Sequence, residues 1–218
     1  QTRAPNFAII QVFGRAFNAP LRMTNPHIIL ASSSPYRREL LERLRLPFDV
    51  AVPNINETAH TNELPQETAL RLSIEKAAHI AQSHPDALII GADQVATVDN
   101  VQIGKAGCFE KALEQLQMMR HKTVLFHSAL CVFDARTQTH QEKNIVTRAS
   151  FRDLSDDELA QYLRIEQPYD CAGSAKVEAL GITLLEKVES DDPTALIGLP
   201  LIALTAMLRQ AGVVFYQS

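Results

Sequence analysis

The chain has 218 residues, of which 46% are hydrophobic, and a formal net charge of −4. This length suits one domain, or one domain folded as two lobes around a cleft, with enough apolar residues for a normal core. The negative charge argues against binding along a nucleic-acid polymer, which requires many cations. The three cysteines show no CxxC spacing. The sequence therefore indicates neither a disulfide framework nor a zinc knuckle, and we expect a reducing, cytoplasmic location.

The first 22 residues differ in composition from the rest of the chain, because they contain three arginines and no acidic residue. Such a composition is mildly similar to a transit peptide. Met23 stands just before the first predicted strand, which favours an upstream extension or a translation artefact. We assign residues 1–22 no function and predict a single domain over residues 23–218. No apolar run reaches the roughly 20 residues needed to cross a bilayer, so we expect no membrane association.

The first part of the domain predicts alternating strands and helices. Residues 28–31 form a continuous apolar run, which is typical of a strand covered on both faces. Ser34 suits the N-cap and Pro35 the first position of a helix that follows directly. Residues 47–52 predict a second strand, and Pro65 begins a long helix with apolar residues at helical spacing.

The middle of the chain predicts a buried strand over residues 87–92 that ends at Asp93. A hairpin over residues 95–103 turns at Asp99 and Asn100, which favour the backbone conformation of a tight turn. A helix is expected over residues 109–119.

The last part predicts two long strands over residues 123–133 and 144–151, followed by a helix over residues 156–164. Residues 181–188 are strand-like, and a final helix covers residues 199–212. Strand–helix–strand units and hairpins are thus combined, which favours an α/β fold built on a mixed sheet.

The segment "IILASSSPYRREL" concentrates hydroxyls and guanidinium groups where a strand passes into a helix. The N-terminus of a helix attracts anions through its free N–H groups, and Ser32 and Ser34 add neutral donors. Arg37 and Arg38 add permanent cations that match phosphate oxygens. An ordinary capped helix with a solvated arginine pair explains the same residues equally well.

Asp93 is the second candidate, because a carboxylate at the end of a buried strand is costly without a partner. A metal ion, a water molecule or a lysine would serve, although a helix cap or turn is an alternative. Glu57 could be a second oxygen ligand, and two such ligands with several waters suit Mg²⁺. Lys76, Lys105 and Lys176 are each most simply solvated, and only convergence on Asp93 would make them phosphate ligands.

Four motifs, in order, resemble the Maf family: "LASSSPYRRELL", "GADQVA", a "GK" after the hairpin, and "CAGSAKVEALGITL" with "D..ALIGLPL". The resemblance covers residues 28–212. It implies a nucleoside triphosphate pyrophosphatase that cuts between the α- and β-phosphates with a divalent cation, most commonly Mg²⁺ with Mn²⁺ as the alternative. It also implies a homodimer and a Maf/ITPase-like fold, in which helices flank a mixed, strongly twisted sheet and two lobes surround a central cleft.

The resemblance also assigns roles to single positions. Asp93 matches the proposed proton acceptor and metal site, and Glu57 matches an acid near the metal. The remaining positions match groups that line the cleft and bind phosphate, namely Ser32, Ser34, Arg37, Arg38, Lys76, Lys105 and Lys176.

Three positions lie where the family divides by substrate: Tyr36, Gln94 and Glu178. The dTTP/UTP branch typically has Arg, Thr and Gln there, whereas "CAGSxK.E" resembles the branch that hydrolyses 7-methyl-GTP. N7-methylation makes guanine cationic, and both an aromatic face and a carboxylate attract a cation. We therefore expect 7-methyl-GTP hydrolysis as a house-cleaning activity. The alternatives are a dTTP/UTP pyrophosphatase and a nucleotide-binding regulator of cell division, because Maf relatives have been linked to septum inhibition.

Overall fold

The structure is a computed structural model that describes residues 25–216. The segment 1–22, and its interpretation as an extension, lies outside the described residues. Within those residues, no helix is both long and apolar enough to cross a membrane.

A mixed sheet of seven strands forms the centre of the fold, in the order β2-β1-β3-β5-β6-β7, with β4 paired to β3. The strands are β1 (Ile28–Ala31), β2 (Asp49–Ala51), β3 (Leu88–Val98), β4 (Val101–Ile103), β5 (Thr123–Asp134), β6 (Thr139–Phe151) and β7 (Leu185–Glu189). The helices are α1 (Pro35–Glu42), α2 (Pro65–Ala81), α3 (Phe109–Met119), α4 (Asp156–Glu166) and α5 (Leu201–Gln210). β1 pairs in parallel with β2 and β3, and the other pairings are antiparallel. The predicted mixed α/β class is confirmed.

Helices cover both faces of β1, as its continuous apolar run predicts. Ile28 and Leu30 belong to the core beneath α1 and α5, whereas Ile29 and Ala31 belong to the core beneath α2. A separate core forms where α3 and α4 pack on the far part of the sheet, around Phe126. The cleft described below lies between this far core and the N-terminal end of α1.

The strand that carries Asp93 is longer than predicted. Its parallel pairing with β1 ends at Gly91, opposite Ala31, whereas its antiparallel pairing with β5 continues to Thr97. The strand therefore does not end at Asp93, because β5 supports the backbone beyond the end of β1. Asp93 lies just past the point where β1 stops, which opens the sheet edge beside its side chain.

Two other boundaries differ from the sequence-based prediction. β6 begins at Thr139, five residues earlier than predicted, because pairing with β5 extends to Asp134 and overrides the polar character of the segment. The predicted strand over residues 181–188 is in fact a 3₁₀ turn, Leu180–Leu184, followed by β7. The predicted hairpin is confirmed, since Asp99 and Asn100 have φ angles of 50° and 65° at the turn between β3 and β4.

Gly91→Ala is expected to destabilise the fold and disturb the cleft. A Cβ atom at Gly91 would overlap the carbonyl oxygen of Ser73 and lie 3.0 Å from the Cβ of Ala77, so α2 would have to move away from β3. Overpacking of this kind costs about 1–3 kcal/mol. Urea unfolding measures that cost, and turnover should also fall because α2 carries Lys76. Gly104→Ala is the control, because nothing lies within 4 Å of its added Cβ. Equal stability of the two variants would contradict this packing argument.

Candidate active site

The cleft between the two parts of the sheet has a volume of about 460 Å³. Its wall combines the segment after β1, one face of α2, the middle of β3, the end of β4 and the start of the "CAGSAK" loop. The lining includes Ser32, Ser34, Tyr36, Arg37, Glu57, Lys76, Asp93, Gln94, Lys105, Asp170, Cys171 and Gly198.

The hydroxyl-rich turn after β1 presents the N-terminus of α1 to the cleft. Ser34 is the N-cap, and its Oγ accepts a hydrogen bond from the backbone N–H of Arg37 at 3.4 Å. The buried Ser32 Oγ accepts from the backbone N–H of Ser34 at 3.1 Å. Both hydroxyls thus use their oxygen to hold the turn and keep a hydrogen to donate to an anion.

The two adjacent arginines have different surroundings. Arg37 lines the cleft, and its Nε donates to the carbonyl oxygen of Gly198 at 3.0 Å. Burial lowers the pKa of Arg37, while nearby Asp93 and Glu57 oppose that shift. The Arg38 side chain is 63% exposed, pairs with Glu42 on the same helix at 3.0 Å, and does not line the cleft. Of this pair, the structure brings only Arg37 to the other candidate residues.

Lys76 is the partner that the buried carboxylate of Asp93 requires. The Lys76 Nζ lies 2.6 Å from the Asp93 Oδ1 and 3.0 Å from the Glu57 Oε1, and the Lys76 side chain is only 6% exposed. With Arg37 beside them, two cations and two carboxylates meet at the floor of the cleft. Of the three candidate lysines, Lys76 therefore meets Asp93, and its ammonium group is shared by the two carboxylates.

Asp93 and Glu57 also fit a divalent cation. Both carboxylates contact the same ammonium group, so they face one point that a cation occupies. Within residues 25–216, no group of three or more His, Cys, Asp or Glu side chains is placed to hold a metal. Mg²⁺ typically binds one or two carboxylates together with substrate phosphates and water, and Mn²⁺ shares this preference for oxygen. The donor set therefore suits an ion that arrives with a triphosphate.

A pair of residues missed by the sequence-based reasoning holds the loop that carries Glu57. Arg71 on α2 donates to both carboxylate oxygens of Glu63, at 2.6 and 2.8 Å, and to the carbonyl oxygen of Thr58 at 3.2 Å. These contacts tie the backbone next to Glu57 to α2, the same helix that carries Lys76. The arginine and glutamate are eight residues apart, and no local sequence signal pairs them.

Glu63 is expected to make stability depend on pH in the acid range. Hydrogen bonds from Arg71, the backbone of His60 and Thr68 lower the pKa of Glu63 from 4.5 to about 2. Because the folded-state pKa lies below the unfolded value, this stabilisation is fully present above about pH 4.5 and is lost as the pH falls through about 2. Glu63→Gln should therefore unfold at lower urea concentration than the wild type near neutral pH, and the difference should shrink below about pH 4.5.

Urea midpoints measured from pH 7 down to the lowest pH at which both proteins fold would test the role of Glu63. Glu186→Gln is the control, because Glu186 is an exposed residue on β7 and should change the midpoints little at any pH. A constant difference between Glu63→Gln and the wild type at all pH values would count against the Arg71 hydrogen bonds as its source.

The other two lysines occupy different places. Lys105 lines the cleft, and its backbone bridges to Ala172, which joins the segment after β4 to the "CAGSAK" loop. The Lys176 Nζ lies 3.2 Å from the Glu166 Oε1 and 5.6 Å from the centre of the Tyr36 ring. Lys176 is therefore at the rim beside Tyr36 and does not line the cleft wall.

The three positions predicted to select the substrate are also only partly brought together. Gln94 lines the cleft, and its Nε2 lies 3.0–3.1 Å from the Ser128 Oγ and from the carbonyl oxygens of Ala195 and Leu196. Tyr36 lines the cleft from α1. Glu178 is exposed and absent from the wall, although partial burial of its carboxyl group raises its pKa.

Three further cleft residues were not singled out from the sequence. Asp170 accepts a hydrogen bond from the Tyr36 hydroxyl at 3.4 Å. Burial raises the pKa of the Cys171 thiol to about 12, so it stays protonated and unreactive near neutral pH. Gly198 has a φ of 118°, a conformation that favours glycine, and it supplies the carbonyl for Arg37. Gly198 lies within the motif "ALIGLPL", and that motif is the sequence feature that could have identified it as a cleft residue.

Comparison with known proteins agrees with the resemblance seen in the motifs. The family model described as "Maf-like protein" matches residues 27–211. A "7-methyl-GTP pyrophosphatase" of Cupriavidus pinatubonensis is 64% identical over 191 residues, 88% of this chain and 96% of that protein. Proteins of the same name from Cupriavidus metallidurans and Ralstonia nicotianae are 67% and 63% identical, over 87% and 84% of this chain and 95% of each relative. The chain belongs to the Maf family.

Proposed function

We propose that this protein hydrolyses 7-methyl-GTP to 7-methyl-GMP and pyrophosphate, and so removes a modified nucleotide from the cell. The observation that carries the chemistry is the buried Lys76–Asp93 pair, with Glu57 and Arg37 beside it, in one cleft. The choice of nucleotide is supported by the name that relatives more than 60% identical share. The cytoplasm is the expected location and a homodimer the expected assembly.

One end of the cleft suits the triphosphate. The N-terminus of α1 offers backbone N–H groups and two serine hydroxyls, which favour an anion. Arg37 adds a forked, partly buried cation, and Lys105 adds a point charge from the end of β4. None of these groups reads a base, so they should hold every nucleoside triphosphate alike.

The hydrolytic step needs a proton acceptor near the α-phosphate, and we assign that role to Asp93. A water oxygen forms a bond to the α-phosphorus while its proton passes to the Asp93 carboxylate. The bond from the α-phosphorus to the bridging oxygen breaks, and pyrophosphate leaves with the bonding electrons. Lys76 fixes the orientation of the carboxylate through its contact with Oδ1. A divalent cation held by Asp93 and Glu57 would supply charge neutralisation for the phosphate oxygens.

Selection of the base involves Tyr36 and Gln94 in the wall and Glu178 at the rim. Tyr36 offers an aromatic face for a cationic base, and Glu178 adds negative charge nearby. The amide of Gln94 is held by the carbonyls of residues 195 and 196, which fixes its position in the wall.

Pyrophosphate release by the purified protein with Mg²⁺ tests the proposal. The substrates are 7-methyl-GTP, GTP, dTTP and UTP, and we expect the highest kcat/KM for 7-methyl-GTP. A preference for dTTP or UTP would replace the substrate but keep the reaction. Nucleotide binding without pyrophosphate release from any substrate would indicate a regulator instead. The Asp93→Asn variant is purified and assayed in parallel, and any activity equal in both preparations is attributed to contaminating phosphatases.

A further inference from the structure

The two ends of the cleft differ in charge. The end with Arg37, Lys76 and Lys105 also holds the carboxylates of Asp93 and Glu57 and keeps a net positive charge, whereas the wall at Tyr36 carries the carboxylate of Asp170. A nucleotide with a methylated guanine has the complementary pattern, a strongly negative triphosphate and a positive base. Such complementarity fixes which way round a ligand binds.

The face of the Tyr36 ring already holds a cation in this structure. The Lys176 Nζ lies 5.6 Å from the ring centre and is paired with Glu166 at 3.2 Å. An aromatic ring attracts a positive charge through its electron-rich face, and carboxylates nearby add to that attraction. The surroundings of Tyr36 therefore stabilise positive charge, independently of any argument about the substrate.

Asp170 is better placed than Glu178 to contact a ligand in the cleft. Asp170 lines the wall, and its Oδ2 accepts the Tyr36 hydroxyl hydrogen at 3.4 Å. Both residues are exposed, but Glu178 does not line the wall. The pKa of Tyr36 is raised first by burial and next by Asp170, whereas Glu178 contributes least among the groups that act on it. Of the two carboxylates, Asp170 thus has the larger electrostatic influence on the Tyr36 side chain.

We propose that Asp170 is a specificity-determining residue that, with the ring of Tyr36, holds the positive charge of an N7-methylated purine. This inference rests on the proposed function. Methylation at N7 spreads a positive charge over the purine ring, which can then stack on Tyr36 and face the carboxylate. GTP lacks that charge and gains nothing from Asp170. Lys176, as the cation now at this ring, competes with the methylated base for the same place.

The first test compares kcat/KM for 7-methyl-GTP with kcat/KM for GTP in matched variants. The assay is run at mildly acidic pH, where N1 of the methylated base keeps its proton and the base stays cationic. Asp170→Asn should lower the ratio about 3- to 5-fold, the scale of an exposed charge pair. Asp170→Glu should retain most of the ratio, since it keeps the charge. Glu186→Gln removes an exposed carboxylate outside the cleft and should leave the ratio unchanged.

Two further variants sharpen the test. Lys176→Gln should raise the same ratio, because it removes the competing cation, whatever it does to the rate with both nucleotides. Glu178→Gln should lower the ratio less than Asp170→Asn. A larger effect of Glu178→Gln, or an Asp170→Asn variant that loses the same factor with both nucleotides, would overturn the assignment of Asp170.

Calorimetry with the products separates this inference from the proposed function. The wild type should bind 7-methyl-GMP more tightly than GMP, and Asp170→Asn should reduce that preference. If the protein fails to hydrolyse 7-methyl-GTP, the proposed function is wrong, yet the binding preference still tests Asp170. If hydrolysis occurs and the binding preference is unchanged in Asp170→Asn, only the role of Asp170 is refuted.

Discussion

Asp93→Asn is expected to lower kcat for 7-methyl-GTP by about 10²-fold or more, the usual scale for loss of a general base. The amide has nearly the same shape as the carboxylate but cannot accept the proton of the attacking water. It also removes one of the two carboxylates that suit a divalent cation. Steady-state pyrophosphate release with saturating Mg²⁺ measures the loss, and near-normal turnover would exclude Asp93 as the proton acceptor.

Stability must be measured on the same Asp93→Asn preparation. Lys76 is paired with both Asp93 and Glu57. In the variant, its buried ammonium group loses the charge of Asp93 and keeps that of Glu57. Complete loss of a partner for a buried charge costs about 3–5 kcal/mol, and Glu57 should keep the cost below that range. Kinetics are therefore recorded well below the unfolding temperature of the variant.

Asp192→Asn is the matched control for Asp93→Asn. Asp192 is also buried, but its Oδ2 accepts hydrogen bonds from the backbone N–H groups of Ile202 and Ala203 at the start of α5. Asp192 also accepts hydrogen bonds from Thr194 just before the segment 195–198, so its replacement should cost about 1.5–3 kcal/mol of stability and should lower kcat less than Asp93→Asn does. A loss of turnover equal to that of Asp93→Asn would attribute both effects to a general disturbance of the fold.

Arg37→Met and Arg38→Met are expected to differ by at least about threefold in their effect on kcat/KM. Arg37 lines the cleft beside Asp93 and Glu57, whereas Arg38 is exposed and pairs with Glu42. Hydrogen bonds to charged groups contribute about 1.5–3 kcal/mol, so Arg37→Met should lose about 10- to 100-fold. Arg38→Met should lose less than about 3-fold. Methionine keeps the apolar stem in both variants.

The loss in Arg37→Met should be the same for 7-methyl-GTP, GTP and UTP, because phosphate contacts do not read the base. A loss confined to one base would place Arg37 at the base instead. Equal losses in both arginine variants would mean that Arg38 turns into the cleft when the nucleotide binds, as the sequence-based prediction of two phosphate-binding arginines requires.

Local sequence signals were enough to predict several features of the site. The Ser34 cap, the proline that starts α1 and the tight turn at Asp99 depend on neighbouring residues, so short motifs specify them. The requirement that Asp93 have a partner also follows from one position, since burial of an unpaired carboxylate is costly. Lys76 is that partner, and it lies on the face of α2 that the apolar periodicity turns towards the sheet.

Features set by distant contacts could not be predicted in the same way. Adjacent helix residues such as Arg37 and Arg38 point about 100° apart, and which one enters the cleft depends on how α1 sits against the Gly198 loop. The extension of β3 past Asp93 depends on pairing with residues of β5 that lie 28 to 34 residues further along the chain. Asp170 is in an irregular loop, where no periodicity indicates which way a side chain points.

The segment around residues 195–198 determines when, during synthesis of the chain, the cleft can become complete. Its carbonyl oxygens hold Gln94 and Ser128 on the sheet and Arg37 on α1, although it is close to the C-terminal end of the chain. The ribosome therefore delivers every charged residue of the cleft floor before it delivers the segment that fixes the wall. A nascent chain that already contains Asp93, Lys76 and Glu57 still lacks the carbonyl that orients Arg37. Chains stalled before residue 198 should consequently be inactive, so the synthesis of residues 195–198, rather than that of the charged residues, sets the earliest moment at which hydrolysis can begin.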